Sequence, residues 1–389
     1  MRVALPLDLA RPGAGWRVPL VAWGASRALA LVVGVVASLV LGLPERGVDP
    51  AVPDALALLG GWDTTWYLDV ARFGYERDLG QVGDVFTNLA FFPLLSGLMA
   101  LFLELGINPF AGALVVSNLA FLGALAGLHA VTAARFGETA ASRATWTLAF
   151  FPPAVYCSLA YTEGIALACA VAAALTAVRG RYALAGLAAA GAALTRPTGI
   201  LVALLVGLLA LRDPAPGRLR RVALGVVPSV AALVGFLAWM AAARGSALLP
   251  FEAQRAWDRG QLGIGVVTAA PDELSAAWEH IANADFTAAW TAAARDLAFL
   301  ALYAWLLVRL WRRESGLRSP WVAYSAAVLI VPLSSGTVTS MARFGLLAFP
   351  LMWPLADWLG EDRGRALRWG AVALAVIVLL VAQLAIRSP

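Results

Sequence analysis

The sequence predicts an all-α polytopic integral membrane protein with about ten to twelve transmembrane helices. Of its 389 residues, 61% are hydrophobic and 14% are charged, and the mean hydropathy is +0.78. Soluble proteins are about 45–50% apolar and about 25% charged, so a water-soluble fold of this size would expose much apolar surface. Apolar runs recur at bilayer length, and in lipid each run must satisfy its own backbone groups, which favours helices over strands.

The predicted spans follow one another along the chain. Those between 144 and 211 are short, which predicts helices that are tilted, broken or partly buried in protein. The first run is too long for the apolar part of a signal peptide, so we expect a retained anchor. The predicted spans lie near 18–43, 110–132, 144–161, 163–178, 182–195, 199–211, 222–243, 294–311, 320–338, 343–359 and 369–386.

Basic residues form short clusters between these apolar runs, and all 29 of them are arginines. With the spans above, the clusters fall on one side, which the positive-inside rule assigns to the cytoplasm of a plasma-membrane protein with a cytoplasmic N-terminus. The net charge of +5 therefore reflects topology, and we expect no nucleic-acid partner. The clusters are Arg2, Arg11 and Arg17; Arg135 and Arg143; Arg179 and Arg181; Arg212, Arg218, Arg220 and Arg221; Arg309, Arg312, Arg313 and Arg318; and Arg363, Arg365 and Arg368.

Residues 86–105 are also apolar enough to span, but a crossing there would invert the side of every later arginine cluster. We therefore expect a helix that lies in the interface or re-enters from the outer face, interrupted near Asn88 and Pro93. The outer side then receives two long segments, 44–109 and 244–293, which form the predicted active-site face. No soluble domain or internal repeat is evident, so residues 1–389 are expected to form a single domain.

Metal and nucleotide chemistry find no support in the sequence. Cys157 and Cys169 lie in apolar runs, and His129 and His280 are far apart, so no metal-ligand spacing is present. A glycine-rich phosphate loop with a lysine is also missing, which argues against ATP or GTP. We expect no cofactor and no metal.

The segment Gly61–Tyr75 (GWDTTWYLDVARFGY) opens the first outer loop with interleaved acidic and aromatic residues. On a helix, Asp63 and Tyr67 are neighbours at i and i+4. A partly desolvated carboxylate at Asp63 could act as a general base on a hydroxyl group. Alternatively, Trp62, Trp66 and Tyr67 anchor an interfacial helix and Asp63 caps its first turn.

Three further charged residues interrupt apolar sequence on the predicted outer side. Glu163 follows Tyr161 in SLAYTEGIAL, Arg196 lies in LTRPTG, and Arg343 lies in SMARFG. Ionisable groups between apolar helices are costly and indicate function, and a guanidinium group suits phosphate oxygens. The alternatives are a helix-dipole position for Glu163, an Arg196 that reaches the interface, and a salt bridge from Arg343 to Glu163 or Asp63.

Residues 251–260 (FEAQRAWDRG) carry Gln254, Arg255, Trp257 and Asp258, which could contact a polar head group or a sugar; a solvated loop is equally compatible. Together, the outer-side acids, arginines and aromatics favour chemistry on a lipid phosphate whose head points outward. A transporter or lipid flippase is the main alternative, although such proteins tend to have internally symmetric repeats. A non-catalytic scaffold is a second alternative.

The same motifs, in order, resemble the PIG-V-like mannosyltransferases, the family that includes GPI mannosyltransferase 2. The resemblance covers roughly 60–350, with LAFFPLL, SNLAF, FFPPAVYCSLAYTEG and SMARFGLLAFPL beside the motifs above. It implies a GT-C-type fold, with interfacial helices in the first outer loop. It also implies an inverting transferase that takes mannose or another hexose from a polyprenyl-phosphate carrier to a lipid-linked or glycan acceptor.

The resemblance also implies roles for individual residues. Asp63 is the expected base, and Arg196 and Arg343 are expected to bind the carrier phosphate. The remaining expected substrate contacts are Tyr161 and Glu163 at a sugar, Trp62, Trp66 and Tyr67 around the pocket, and Gln254 and Trp257. Where the family has an aromatic residue followed by histidine, this chain has Leu68 and Asp69, which makes Asp69 a rival acid. The acceptor and the oligomeric state stay open.

Overall fold

The described part of the chain is helical, with no β-strand. The computed structural model describes residues 15–41, 59–259, 265–282, 288–360 and 364–385. The all-α prediction is confirmed for these ranges. The helices are α1 (Arg17–Leu41), α2 (Asp63–Phe73), α3 (Pro93–Glu104), α4 (Pro109–Phe136), α5 (Glu138–Ala149), α6 (Glu163–Val178), α7 (Tyr182–Ala193), α8 (Leu201–Arg212), α9 (Arg218–Arg244), α10 (Leu249–Glu252), α11 (Gly265–Ala282), α12 (Ala288–Arg313), α13 (Pro320–Leu333), α14 (Met341–Phe344), α15 (Met352–Gly360) and α16 (Arg365–Ala385).

Several of these helices suit a membrane by length and composition. Within the described ranges, three are long and apolar enough to cross: Arg17–Val36 of α1, α4 and α9. A fourth candidate is the pair Pro152–Ser158 and α6, which is bent by 106°. Several other predicted spans correspond to apolar helices shorter than 18 residues, including α7, α13 and the run Pro197–Arg212. The polytopic class is thus confirmed, and the count of ten to twelve crossings stays a prediction.

The predicted span 144–161 is wrong as one continuous helix. Helix α5 ends at Ala149, and the chain continues through a 3-10 turn, Pro152–Ser158, before α6 begins at Glu163. The cause is local, because Pro152 and Pro153 lack the amide hydrogens that a helix interior needs and restrict the residue before each of them. The turn is fully buried, so this bend of the chain lies inside the protein.

The expected interruption of 86–105 is confirmed. A short 3-10 turn, Asn88–Ala90, precedes α3, whose 12 residues extend about 18 Å. That length is too short for a hydrocarbon core of about 30 Å. The Asn88 side chain holds the turn against α2, since its amide donates to Asp69 and to the Gly74 carbonyl and accepts from the Glu76 amide.

Helices α4, α6, α7, α8 and α9 pack side by side around a core rich in alanine. Small residues let the backbones approach closely, as is common between helices in membranes. The closest approach joins α7 and α9, where a Cβ atom on Gly186 would lie 2.1 Å from the Leu224 carbonyl oxygen. No side chain larger than hydrogen fits there without moving a helix.

Ion pairs bring some of the predicted cytoplasmic arginine clusters close together at one end of the bundle. Arg135, at the end of α4, pairs with Glu314 at 2.8 Å, and Arg313 pairs with Asp357 on α15. The chain therefore brings the loops after α4, α12 and α15 together, as the topology requires. The face of the membrane on which this end lies stays a prediction.

Replacing Gly186 by Ala tests the α7–α9 contact. We expect overpacking to cost about 1–3 kcal/mol of unfolding free energy, because the new methyl group meets a backbone carbonyl rather than a side chain. The measurement is the thermal unfolding midpoint of purified protein in detergent.

Gly235→Ala is the matched control, since a Cβ atom at this exposed helical glycine meets nothing within 4 Å. It should leave the midpoint unchanged or raise it, because alanine is the better helix former. Equal effects of the two substitutions would contradict the close α7–α9 contact.

Candidate functional site

Four segments that are far apart in the sequence meet at one cluster of charges. Asp63 is the first residue of α2, and Glu163 is the first residue of α6. Arg196 directly precedes the turn Pro197–Ile200, and Arg343 lies in the four-residue helix α14. Each charged residue thus lies where a helix begins or is broken, which lets its side chain point away from the apolar helix faces.

The four side chains form one continuous ion-pair network. Oε1 of Glu163 accepts from Nη2 of Arg196 and from Nε of Arg343, both at 2.8 Å. Nη2 of Arg343 donates to Oδ2 of Asp63. Arg196 also donates to the Thr162 hydroxyl at 2.7 Å. The expected alternative for Arg343, pairing with Glu163 or Asp63, is what the structure contains.

Because three of these charged side chains are buried, their positive and negative charges have to compensate one another. Glu163 is 2% exposed, and Arg196 and Arg343 are each 7% exposed. An unpaired buried charge costs several kcal/mol, whereas two carboxylates and two guanidinium groups compensate one another. Asp63 is the most open of the four, and its Oδ1 receives no hydrogen bond from a described residue.

Arg343 is held in place by a carboxylate that the sequence interpretation missed. Asp296 on α12 is 1% exposed and accepts from the amides of Ser340 and Ala342 at 2.9 and 3.0 Å. This cap fixes the turn in which Ser340 has a φ of +66° and from which α14 starts. The available signal was the adjacent pair Arg295–Asp296 near an apolar run, which pairs at 2.8 Å.

Two glycines bring the arginine-bearing turns against their neighbours. A Cβ atom on Gly199 of LTRPTG would lie 1.8 Å from the Ala192 carbonyl oxygen on α7. A Cβ atom on Gly345 of SMARFG would lie 2.1 Å from the ring of Tyr303 on α12. The turns therefore have little freedom to move Arg196 or Arg343 out of the network.

A half-enclosed cavity of about 490 Å³ opens beside the network. Charged and polar groups line one part of it, and aromatic and aliphatic side chains line the rest. This combination is typical of ligand pockets, in which few polar groups orient a largely apolar ligand. The polar lining residues include Asp63, Tyr67, Thr162, Arg196, Gln254, Arg259, Ser335, Thr339 and Arg343, and the apolar and aromatic ones include Phe91, Phe92, Ile200, Leu233, Phe251, Trp257, Val331 and Phe344.

Six of the ten residues with a predicted catalytic or substrate-binding role line this cavity: Asp63, Tyr67, Arg196, Arg343, Gln254 and Trp257. The other four are not among its lining residues. Glu163 lies beneath the two arginines, and the Tyr161 ring lies 4.8 Å from the Arg343 guanidinium carbon.

The two predicted tryptophan contacts of the first outer loop also lie outside the cavity lining. Trp66 packs its ring on Phe91 at 6.0 Å and on Trp257 at 6.3 Å, so it supports the aromatic wall. Trp62 precedes α2 with a φ of +41° and is half-buried.

Asp63 is the better placed of the two candidate bases on α2. The carboxylate of Asp69 accepts from Asn88 and holds the loop, away from the cavity lining. Tyr67 does reach the cavity, with its hydroxyl 3.5 Å from that of Thr162. Burial, with the charge of Asp63 second, raises the pKa of Tyr67, so this phenol stays protonated at neutral pH. The N-cap residue of α2 is Trp62, without a side-chain capping hydrogen bond, and Asp63 is the first residue of the helix, so the alternative in which Asp63 is the cap does not hold.

Arg259 is a further cavity residue that the sequence interpretation missed. That interpretation named Gln254 and Trp257 from the same segment, but the exposed Arg255 rather than Arg259. The segment ends in a 3-10 turn, Ala253–Trp257, and a left-handed Asp258, which direct the next residue inward. Within the described ranges, no group of three or more His, Cys, Asp and Glu residues is arranged to hold a metal ion.

Comparison with solved structures finds a structural likeness to a membrane-protein chain. A chain of the archaeal oligosaccharyltransferase AglB from Archaeoglobus fulgidus, solved with an inhibitory peptide and a dolichol-phosphate, is similar with a TM-score of 0.42 and 13% identity. The likeness covers 93% of this chain and 55% of that chain, so this protein spans about half its length. At this level it carries no argument about activity. No protein-family model and no curated protein matches the sequence, and the PIG-V-like resemblance stays a prediction.

Replacing Glu163 by Gln should strongly destabilise the protein. Arg196 would then lose its carboxylate partner and Arg343 would keep only Asp63, and breaking a buried ion pair costs about 3–5 kcal/mol. The matched control is Glu138→Gln, because Glu138 also begins a helix but its side chain is 67% exposed.

Thermal unfolding in detergent separates the two variants. We expect a large decrease in the midpoint for Glu163→Gln and little change for Glu138→Gln. Similar midpoints for wild type and Glu163→Gln would contradict the structural importance of the network.

Proposed function

We propose that this protein is an integral membrane glycosyltransferase. It moves a hexose, foremost mannose, from a polyprenyl-phosphate carrier to a lipid-linked or glycan acceptor. The reaction takes place on the outer face of the plasma membrane and inverts the anomeric centre. The observation that carries the proposal is the position of Asp63, a carboxylate at a half-enclosed cavity, held by an arginine beside further guanidinium groups.

The proposed reaction is a single displacement. An acceptor hydroxyl attacks the anomeric carbon, its proton passes to Asp63, and the bond from that carbon to the phosphate oxygen breaks with its electron pair on the phosphate. The proton later leaves to solvent, and polyprenyl phosphate departs. Arg343 supports this role for Asp63 because its ion pair orients the carboxylate through Oδ2, while Oδ1 stays available.

The charge that develops on the leaving phosphate needs compensation. Arg196 and Arg343 line the cavity and are proposed to supply part of it, since fixed cations near a developing charge lower the barrier. The apolar and aromatic wall, including Trp257 and Phe91, offers a surface on which a sugar ring can stack. No step of this scheme requires a nucleotide or a metal.

The proposal predicts that Asp63→Asn abolishes transfer. Purified protein in detergent is supplied with radiolabelled polyprenyl-phosphate mannose and a crude lipid extract, and labelled product is counted. Loss of a general base lowers the rate by about 10²–10⁴-fold, while donor binding should persist because the side chain keeps its size. Asp69→Asn is the control on the same helix, since its carboxamide oxygen can still accept from Asn88.

Wild-type-like transfer by Asp63→Asn would contradict its assignment as the base. If wild type shows neither transfer nor slow hydrolysis of the donor, while reconstituted protein moves the labelled lipid across vesicle membranes, the flippase alternative replaces the proposed glycosyltransferase function.

A further inference from the structure

The charges around the cavity do not cancel. Two carboxylates, Asp63 and Glu163, face three guanidinium groups, those of Arg196, Arg343 and Arg259. Arg196 and Arg343 share the two carboxylates, and Arg259 makes no ion pair with a described residue. The cavity therefore keeps one net positive charge, and that charge lies on Arg259.

Neutral groups hold Arg259 in a fixed direction. Its Nη1 donates to Oε1 of Gln254 at 3.3 Å, and its Nη2 donates to the Thr339 carbonyl at 3.1 Å. Gln254 is itself anchored by a 3.1 Å hydrogen bond to the Ala90 carbonyl. The guanidinium carbon lies 4.7 Å from the centre of the Phe344 ring, which supports it from one face. These contacts orient the side chain without neutralising it.

The charge of Arg259 is held in a poorly solvated place. Burial, followed by the positive charge of Arg343, lowers the pKa of Arg259 to about 10, and the charges of Asp63 and Asp296 offset only part of this shift. The guanidinium group therefore stays protonated at neutral pH, and a nearby anion would relieve its desolvation and its repulsion by Arg343. A phosphate group fits best, because guanidinium and phosphate form strong charge-assisted hydrogen bonds.

Apolar residues that line the cavity are next in sequence to exposed apolar residues on two helices. Leu233 on α9 and Val331 on α13 both line the cavity. Their neighbours in the sequence, Val234 and Ile330, are 56% and 47% exposed, and in a bilayer such apolar exposure faces acyl chains. Both helices pack against α8, with Ile200 of the preceding turn in the cavity lining. An apolar chain can therefore pass from the cavity to lipid between α9 and α13.

We propose that Arg259 binds the phosphate of a lipid phosphate, and that the isoprenoid chain of this lipid leaves between Leu233 and Val331. The inference rests on the proposed function and changes its residue assignment. Arg196 and Arg343 mainly maintain the charge network and orient Asp63, whereas Arg259 supplies the positive charge that the substrate neutralises. Arg259 is thus a determinant of donor binding, and Asp63 is a determinant of turnover.

Direct binding tests the assignment without any need for an acceptor. Farnesyl phosphate, which joins a phosphate to a short isoprenoid chain, is titrated calorimetrically into the full-length protein in detergent, with farnesol and inorganic phosphate in parallel. Loss of one charge-assisted contact should weaken the binding of farnesyl phosphate to Arg259→Gln about 10- to 100-fold. Arg259→Lys keeps the charge and should recover part of the loss.

Two control variants address folding and the path of the chain. Arg255→Gln changes an exposed arginine four residues away and should bind like wild type. Leu233→Trp should fill the proposed passage and weaken the binding of farnesyl phosphate more than the binding of inorganic phosphate. Val234→Trp changes an exposed residue that faces lipid, so it should leave both affinities unchanged. Unfolding midpoints are measured for every variant, so that a loss of binding in a folded protein is recognised.

The outcomes separate the two proposals. Wild-type affinity in Arg259→Gln, with farnesyl phosphate bound well by wild type, would overturn the role of Arg259 and leave the proposed function standing. No binding of farnesyl phosphate to wild type would overturn both. Equal affinity for inorganic phosphate and farnesyl phosphate would overturn the chain passage. In the transfer assay, a raised KM for donor in Arg259→Gln beside a lowered kcat in Asp63→Asn would support the division of roles.

Discussion

The buried pairing of Glu163 with Arg196 and Arg343 is the interaction on which the rest of the site depends. A carboxylate that is 2% exposed in an apolar bundle is tolerated only when cations lie beside it. By satisfying two arginines at once, Glu163 joins the start of α6, the turn after α7 and helix α14. The pair of arginines then forms part of the cavity wall, and one of them reaches Asp63.

The helix breaks are a consequence of the same constraint. A charged side chain in the middle of a lipid-facing helix would be costly, whereas at a helix end it can turn inward toward its partners. The prolines before α6 and after Arg196 interrupt the helices at those places, and glycines beside them allow the turns to pack tightly. Near Arg343, Asp296 fixes the turn before α14 by accepting hydrogen bonds from the amides of Ser340 and Ala342. This turn is strained because Ser340 has a positive φ. Local backbone chemistry thereby positions each member of the network.

The site also separates two electrostatic tasks. The network of four charges is internally neutral and suits a rigid support, because a balanced buried cluster has little to gain from a ligand. Arg259 is not part of this ion-pair network. Its guanidinium group is held by the Gln254 side chain, the Thr339 carbonyl and the Phe344 ring, none of which carries a charge. A neutral framework with one uncompensated cation favours anionic ligands while keeping the carboxylate of Asp63 in place.

The sequence by itself determined the class of the protein and most members of the site. Hydropathy at bilayer length predicts helices because lipid offers no partner for backbone groups, and charges that interrupt such runs are conspicuous for the same reason. Arg196 and Arg343 were found in this way, whereas Asp63, Tyr67, Gln254 and Trp257 were found as polar and aromatic residues of the predicted outer loops; all six line the cavity. Only the tertiary structure decided which charges pair, that α5 stops at Ala149, and that Glu163 and Trp66 are not among the residues that line the cavity. It also decided that Arg259 turns inward while Arg255 stays exposed. Pairing and direction depend on contacts between different segments, some of them far apart in the sequence, such as Asp63 with Arg343, and no local sequence pattern predicts these contacts.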